Sequence, residues 1–286
     1  MRHLYSLVFY LLLPVILLRL LWRAWAAPAY AQRWAERFGF VPSIASIPGR
    51  KLVWLHTVSV GEFIAALPLV NKLLARDDLH LLITTTTPTG SERVRASLGD
   101  KVAHVYAPYD LPDVLARFLK RVKPDMLLIM ETELWPNTIA ACKKRGIPSV
   151  LINARMSERS ARGYQRFSAI TAPMLRQLDK VLVQNAIDGR RLEDLGLPKA
   201  RAQVTGSIKF DLTLGDELRA EAATLKAGWS LDGQRLVWIA ASTHQGEDEI
   251  ILDAFAHVRR HPALRSLLLV LVPRHPERFN SVSNLC

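Results

Sequence analysis

Glu62 stands directly after Gly61 in Thr57-Val58-Ser59-Val60-Gly61-Glu62, behind a short apolar run. A glycine at a strand-to-helix turn lets a backbone or a substrate come close, and a carboxylate beside it faces the crevice at the strand's end. Residue type and place suit a general base. The alternative is a first-turn acid favoured by the helix dipole. Glu131 and Glu133 lie two apart in Glu131-Thr132-Glu133-Leu134-Trp135-Pro136-Asn137. On an extended segment they share a face, so each raises the other's pKa unless a cation lies between, and Arg155 or Lys209 can be that cation. Structural salt bridging is the alternative there.

Three further clusters carry polar groups. Thr85-Thr86-Thr87-Pro88-Thr89-Gly90 offers hydroxyls and helix-start amides suited to an anion or a sugar, although such a turn also serves as a cap. Ser242-Thr243-His244-Gln245-Gly246-Glu247 and Pro273-Arg274-His275-Pro276-Glu277-Arg278 form a pair. Together they place Arg274, His275 and helix-start amides near one another, a phosphate cradle that needs no metal. Taken singly, each of these residues reads as solvated surface. The sequence has no G-x-x-x-x-G-K-[ST], H-E-x-x-H or G-x-G-x-x-G run, which removes the commonest triphosphatase, zinc-peptidase and dinucleotide motifs.

Positioning these clusters requires a parallel sheet. Short apolar runs alternate with segments of helical period, the pattern of βαβ units. Strands are expected at Leu52 to His56, Leu79 to Thr84, Val102 to Tyr106, Met126 to Met130, Val150 to Asn153, Lys180 to Gln184 and Gln203 to Gly206. Helices are expected between them, and Asn153 to Ser160 reads as a loop. The run Met126 to Met130 is apolar throughout and implies burial on both faces. A charged helical stretch from Asp216 to Gly228 then leads to a single βαβ unit with strands at Leu236 to Ala240 and Leu267 to Val272. Every polar cluster follows a strand, so those of the first sheet share its carboxyl rim, where open α/β sheets bind ligands. The lone βαβ unit, with two strands, is expected to be the less stable part.

The chain has 286 residues, 50% of them hydrophobic, with 38 Lys plus Arg against 26 Asp plus Glu, giving a net charge of +12. That balance builds a core and excludes disorder, collagen-like repeats and a small disulfide scaffold. The two cysteines, Cys142 and Cys286, make no metal framework. Leu4 to Trp22 carries one charge, Arg19, and is long enough to span a bilayer or lie deep in one leaflet. A cleaved signal peptide competes, with Ala24-Trp25-Ala26 as its small-residue site. The basic residues that follow, Arg23, Arg33 and Arg37, favour a retained anchor with the body in the cytoplasm. Trp22, Trp25, Tyr30 and Trp34 among them suit a headgroup layer. An amphipathic helix packed on its own domain is the third reading. Pro276-Glu277-Arg278-Phe279 reads as a helix start, after which the sequence runs to Cys286 without an expected packed terminal element, which reads as truncation.

In order along the chain, Ser59-Val60-Gly61-Glu62, Glu131-Thr132-Glu133-Leu134-Trp135-Pro136-Asn137, Asn153-Ala154-Arg155-Met156-Ser157-Glu158-Arg159-Ser160, Gly206-Ser207-Ile208-Lys209-Phe210-Asp211 and Pro273-Arg274-His275-Pro276-Glu277-Arg278-Phe279 resemble the 3-deoxy-D-manno-octulosonic acid (Kdo) transferases of Gram-negative bacteria. The resemblance implies an α/β fold of GT-B type, with one complete and one incomplete Rossmann-like domain behind a membrane-anchor helix. Its expected divisions are an anchor at 1–30, an acceptor-binding domain at 31–212, a linker at 213–234 and the start of a donor-binding domain at 235–286. It implies transfer of Kdo from CMP-Kdo to a lipid A precursor, lipid IVA, at the cytoplasmic face of the inner membrane, without metal or cofactor. By position Glu62 matches the catalytic base. Gly61, Thr86, Glu131, Glu133 and Arg155 fall on the acceptor side. Lys209, Ser242, Thr243, Arg274 and His275 match positions facing the donor cleft. Ser207 stands where an Asn is frequent. Family members also continue well past the Pro-Arg-His-Pro segment, so the chain as written is expected to keep the acceptor domain and anchor without closing a donor site.

Two rivals remain at this stage: a GT-B transferase using another nucleotide sugar, and a non-catalytic, membrane-anchored lipid-binding module in which Glu62 is structural. A nucleic-acid partner is not expected, because the positive charge is spread and no aromatic-basic module accompanies it. The expected partners are CMP-Kdo, the lipid A precursor and membrane lipids.

Overall fold

Strands that must be buried on both faces can afford no polar side, and the central strands here are nearly all apolar for that reason. The computed structural model describes residues 1–44, 47–211, 215–230 and 233–286, which form two compact units, 1–212 and 213–286. The first unit runs α1 (Arg2–Ala26), α2 (Trp34–Arg37), β1 (Lys51–His56), α3 (Val60–Leu74), β2 (Leu79–Thr85), α4 (Pro88–Leu98), β3 (Ala103–Tyr106), α5 (Pro112–Val122), β4 (Met126–Met130), α6 (Pro136–Lys144), β5 (Ser149–Ala154), α7 (Glu158–Arg166), α8 (Ser168–Leu175), β6 (Lys180–Val183), α9 (Ala186–Asp194) and β7 (Ala202–Val204), then a 3-10 turn at Ile208–Asp211. Its seven strands are parallel in the order β3-β2-β1-β4-β5-β6-β7.

Alternate residues of each strand enter opposite layers. Leu52, Trp54, Leu82, Leu127 and Ile129 pack under α5, α6, α8 and α9, whereas Val53, Leu55, Leu81, Ile83, Leu128 and Met130 pack under α3 and α4. Helices on both faces of a parallel sheet make the first unit a doubly wound Rossmann-like domain. The register places His56 opposite Thr84 on one side and Ile129 on the other, so the ends of β1, β2 and β4 share one rim. The strand order reverses between β1 and β4, and a crevice opens outside the carboxyl ends of strands at such a switch point.

The second unit contains α10 (Asp216–Ser230), β8 (Val237–Thr243), α11 (Glu247–Val258), β9 (Leu268–Pro273) and α12 (Phe279–Ser283). β8 and β9 pair in parallel as a two-stranded sheet, and most of their residues stay partly open to solvent. The expected junction at residues 212 and 213 lies outside the described residues, as do 231–232 of the expected linker; within that linker α10 is exposed along its length.

Two expectations are corrected. The segment after Ser157, expected as a loop, forms α7: Ser157 caps it by accepting from the Ser160 amide. Only Ala161 and Tyr164 pack on the core, too narrow an apolar stripe to show as periodicity. The chain's end, expected to lack a packed element, folds as α12 with Val282 buried.

Candidate active site

Glu62 stands on the sheet's rim beside the switch point because β1 ends at His56 and α3 begins at Val60, leaving a three-residue turn. Ser59 caps α3: its Oγ accepts from the Glu62 amide at 3.2 Å and donates to Glu62 Oε1 at 2.9 Å. Val58 N donates to Glu62 Oε2 at 2.8 Å. The arrangement is a Ser-x-x-Glu capping box in form, so the carboxylate holds the turn in place. Burial nevertheless raises its pKa, and the neighbouring charges of Glu133 and Glu131 add to the rise. The same carboxylate is therefore fixed in direction and made more basic than a surface glutamate.

Gly61 is exposed, and a Cβ built there would meet nothing nearer than Ser59 Oγ at 3.9 Å. Its φ lies outside the left-handed range, so neither backbone nor packing requires glycine, and the open face beside Glu62 is room for a ligand.

The extended segment expected for Glu131 and Glu133 is instead a turn. Glu131 turns the chain at φ +52°, with its amide on the Ile152 carbonyl at 3.0 Å. Lys209 Nζ lies 3.4 Å from Glu131 Oε1, which makes it the cation of the cluster. Arg155 is exposed and pairs with no carboxylate among the described residues; its carbonyl accepts from Thr132 Oγ1 at 3.0 Å. Glu133 accepts from Trp135 Nε1 at 3.0 Å, and burial, followed by the charge of Glu131, raises its pKa. Trp135 stands edge-on to His56 with ring centroids 4.5 Å apart. Complete burial lowers the His56 pKa to about 4 and keeps that ring neutral.

The threonines at the end of β2 and in the turn after it spend their hydroxyls inside the protein. Thr84 Oγ1 accepts from Trp54 Nε1 at 2.9 Å, Thr85 Oγ1 meets His104 Nε2 at 3.1 Å, Thr86 Oγ1 donates to the Val58 carbonyl at 2.8 Å, and Thr87 caps α4. Thr86 thereby braces the turn that carries Glu62.

Asn153 was not singled out by sequence. It is buried, adopts φ +54°, and its Oδ1 accepts from Ile208 N at 3.2 Å and from Gln184 Nε2 at 3.1 Å. Its Nδ2 is buried with no hydrogen-bond partner among the described residues. Asn153 ties down the segment that delivers Lys209 to Glu131. Asparagine tolerates the left-handed region, and its position just inside the end of β5 was the available signal.

In the second unit Ser242 takes φ +63° at an irregularity in β8. Thr243 is buried and donates from Oγ1 to Asp248 Oδ1 at 2.6 Å, so its hydroxyl is already committed. That bond and the Arg278 guanidinium hold the Asp248 pKa below the usual range. Arg278 also donates to the Thr243 carbonyl at 2.8 Å. Sequence had not assigned a role to the Asp248–Arg278 clamp, which joins the loops after β8 and β9. His275 lies exposed, 3.8 Å from Glu277 Oε1, and its ring centroid is 6.1 Å from that of His244; Arg274 is exposed beside it.

A family model described as 3-deoxy-D-manno-octulosonic-acid transferase (kdotransferase) matches residues 32–212. A 3-deoxy-D-manno-octulosonic acid transferase of Haemophilus influenzae is 49% identical over 91% of this chain and 60% of its own length. One from Bordetella pertussis is 38% identical over 99% of this chain and 66% of its own. The chain thus spans roughly three-fifths to two-thirds of these curated relatives. Among solved structures, a UDP-GlcNAc 2-epimerase of Neisseria meningitidis superposes with a TM-score of 0.55 at 16% identity, covering 82% of this chain and 68% of that one. At that identity the likeness bears on fold alone, and the fold is GT-B-like.

Proposed function

The chain belongs to the 3-deoxy-D-manno-octulosonic acid transferase family, and on that premise we propose that it supplies the acceptor half of an enzyme that moves Kdo from CMP-Kdo to a lipid A precursor, lipid IVA. One observation carries the proposal: a buried carboxylate, with its pKa raised by that burial, stands on the sheet's carboxyl rim where the strand order reverses.

Glu62 acts as general base. As the bond between the Kdo anomeric carbon and the CMP phosphate oxygen breaks, an acceptor sugar hydroxyl attacks that carbon and its proton passes to the Glu62 carboxylate. CMP departs with the bonding electron pair. A hydroxyl is a weak nucleophile at neutral pH, and a base whose pKa has risen toward that range takes its proton more readily. The capping contacts aim the carboxylate, Gly61 leaves space for the sugar, and Thr86 braces the turn. Glu131, fixed by Lys209, and Glu133 sustain the negative field that keeps Glu62 basic, with Arg155 at the outer edge. On the donor side Ser242, Arg274 and His275 supply exposed groups for phosphate, where cations offset charge as the C–O bond breaks; Thr243 serves by holding Asp248. Action at the cytoplasmic face of the bacterial inner membrane agrees with the apolar N-terminal helix and its basic flank. The 286 residues alone are expected not to turn over, because the unit with the donor residues has a two-stranded sheet.

The test is a transfer assay with CMP-Kdo and a tetraacylated lipid A precursor, run on this chain and on a form extended to the full length of its relatives. Turnover by the extended form alone supports the proposal in both parts. Turnover by the 286 residues overturns the second part. No turnover by either, with another nucleotide sugar accepted, overturns the first.

A further inference from the structure

α1 divides along its length into two faces with different fates. Leu4, Leu11, Val15, Leu18, Trp22 and Trp25 recur at helical spacing on one face, and each is at least half open to solvent, Leu11 at 70% and Trp25 at 88%. On the opposite face Tyr5, Phe9, Leu13, Ile16, Leu20 and Ala24 are partly covered at every turn. At the two ends of the helix the cover is the protein itself. Asn137 Nδ2 donates to Ser6 Oγ at 2.9 Å, and Tyr10 OH donates to Asp113. Phe9 packs on Tyr109, whose other neighbour is Phe38, at centroid distances of 6.2 and 5.4 Å. Near the other end Arg23 lies over the Tyr30 ring at 5.4 Å. Tyr30 therefore meets the end of the helix, and Phe38 reaches toward its first turns through Tyr109, so the chain after α1 doubles back along it.

We propose that α1 lies in the plane of a single leaflet, its exposed stripe sunk among acyl chains and its covered stripe resting on the protein, with both ends on the same side of the bilayer. A spanning helix must meet hydrocarbon around its whole circumference over about 30 Å. Here the first turns of α1, from Tyr5 to Tyr10, rest on a layer that holds the buried Asn137 and Asp110, and Tyr30 meets its last turn; a buried carboxylate such as Asp110 is too costly to carry into a bilayer core. The helix, 25 residues and so about 37 Å long, is long and apolar enough to span by composition. Tertiary packing removes that choice. The occupant is a leaflet with anionic headgroups: Arg19 and Arg23 flank the apolar stripe, and Trp22 and Trp25 sit at its end as interfacial rings do.

The layer under α1 is also bonded to the candidate active site. Arg37 donates to the Thr86 carbonyl at 2.9 Å, Thr86 donates to the Val58 carbonyl at 2.8 Å, and Val58 N donates to Glu62 at 2.8 Å. If the proposed transfer reaction is right, on which this consequence rests, a membrane-embedded acceptor enters beside α1 from the leaflet in which α1 lies.

The orientation test needs no catalysis, so it can fail independently of the transferase proposal. In a Cys286→Ser background, which leaves only the buried Cys142, His3→Cys and Gln32→Cys place one thiol in the first turn of α1 and one beyond its end. Bacteria expressing the chain are converted to sealed inverted inner-membrane vesicles and to spheroplasts, and treated with a membrane-impermeant maleimide. Labelling of both positions in inverted vesicles and of neither in spheroplasts is expected. Labelling of the two from opposite sides overturns the proposal, as does recovery of both proteins from the soluble fraction. Leu11→Glu with Leu18→Glu, on the exposed stripe, is expected to weaken binding to vesicles of phosphatidylethanolamine and phosphatidylglycerol by about a hundredfold or more while leaving the unfolding transition in place. Unchanged binding by that variant also overturns it.

Discussion

Replacing Glu62 by glutamine separates the two tasks its carboxylate performs. Both carboxylate oxygens are engaged, Oε2 by Val58 N at 2.8 Å and Oε1 by Ser59 Oγ at 2.9 Å. A glutamine keeps one oxygen for the Val58 amide and turns its Nε2 toward Ser59 Oγ, which has a lone pair to receive it, so the cap survives. The cost is the charge assistance of the two bonds, about 1 kcal/mol. An opposing gain comes from removing a desolvated negative charge near Glu131 and Glu133. Because the folded-state pKa of Glu62 is raised, ionised Glu62 opposes folding above that pKa, and the penalty disappears as pH falls below its unfolded value. The glutamine variant lacks this dependence. Glu62→Ala, by contrast, leaves the Val58 amide without its partner and costs about 1–2 kcal/mol. At roughly 2–4 °C per kcal/mol for a chain of this size, Glu62→Gln should unfold close to the parent and Glu62→Ala several degrees lower. In the full-length transfer assay Glu62→Gln is expected to lose about 10²–10⁴-fold in kcat, together with the acidic limb of the parent's pH profile. Retention of kcat by Glu62→Gln refutes Glu62 as the base. A fall in Tm equal to that of Glu62→Ala refutes the account of the cap.

Gly61→Ala adds a Cβ into open space in a helix, so stability should rise by up to about 1 kcal/mol while KM for the lipid acceptor increases; a more stable protein with unchanged kinetics removes Gly61 from the site. Lys209→Met takes away the cation 3.4 Å from Glu131, leaving the acidic cluster uncompensated. The acidic limb of kcat/KM should move to higher pH by about one unit, and an unmoved profile excludes coupling between Lys209 and the base. Gly39→Ala would set a Cβ 2.3 Å from the Val114 carbonyl at a residue with φ +79°. It should destabilise the first unit by about 2–4 kcal/mol, read as a lower denaturant midpoint, and an unchanged midpoint contradicts the strain.

The elements were legible because each is set by neighbours a few residues away. Met126 to Met130 declares a doubly buried strand by having no polar side chain, and Gly61 with the first-turn acid Glu62 marks a strand-to-helix turn. α7 escaped notice because its marks are a Ser157 cap and a Glu158–Arg162 pair rather than a stripe of apolar residues. Of the site, the sequence showed that Glu62, Glu131 and Glu133 end up behind strands. Tertiary structure alone decided that β1 neighbours β4, which makes their shared end a switch point, and that Lys209 rather than Arg155 serves Glu131. It also decided that the threonines at the end of β2 are already bonded within the protein and that the first turns of α1 rest on it. Periodicity and caps are short-range, arising from backbone geometry and the side chains within a turn or two. Strand order, ion-pair choice and the contacts of α1 depend on residues far apart in the chain, brought together only when burying both faces of one sheet selects a single packing from the many the local pattern permits.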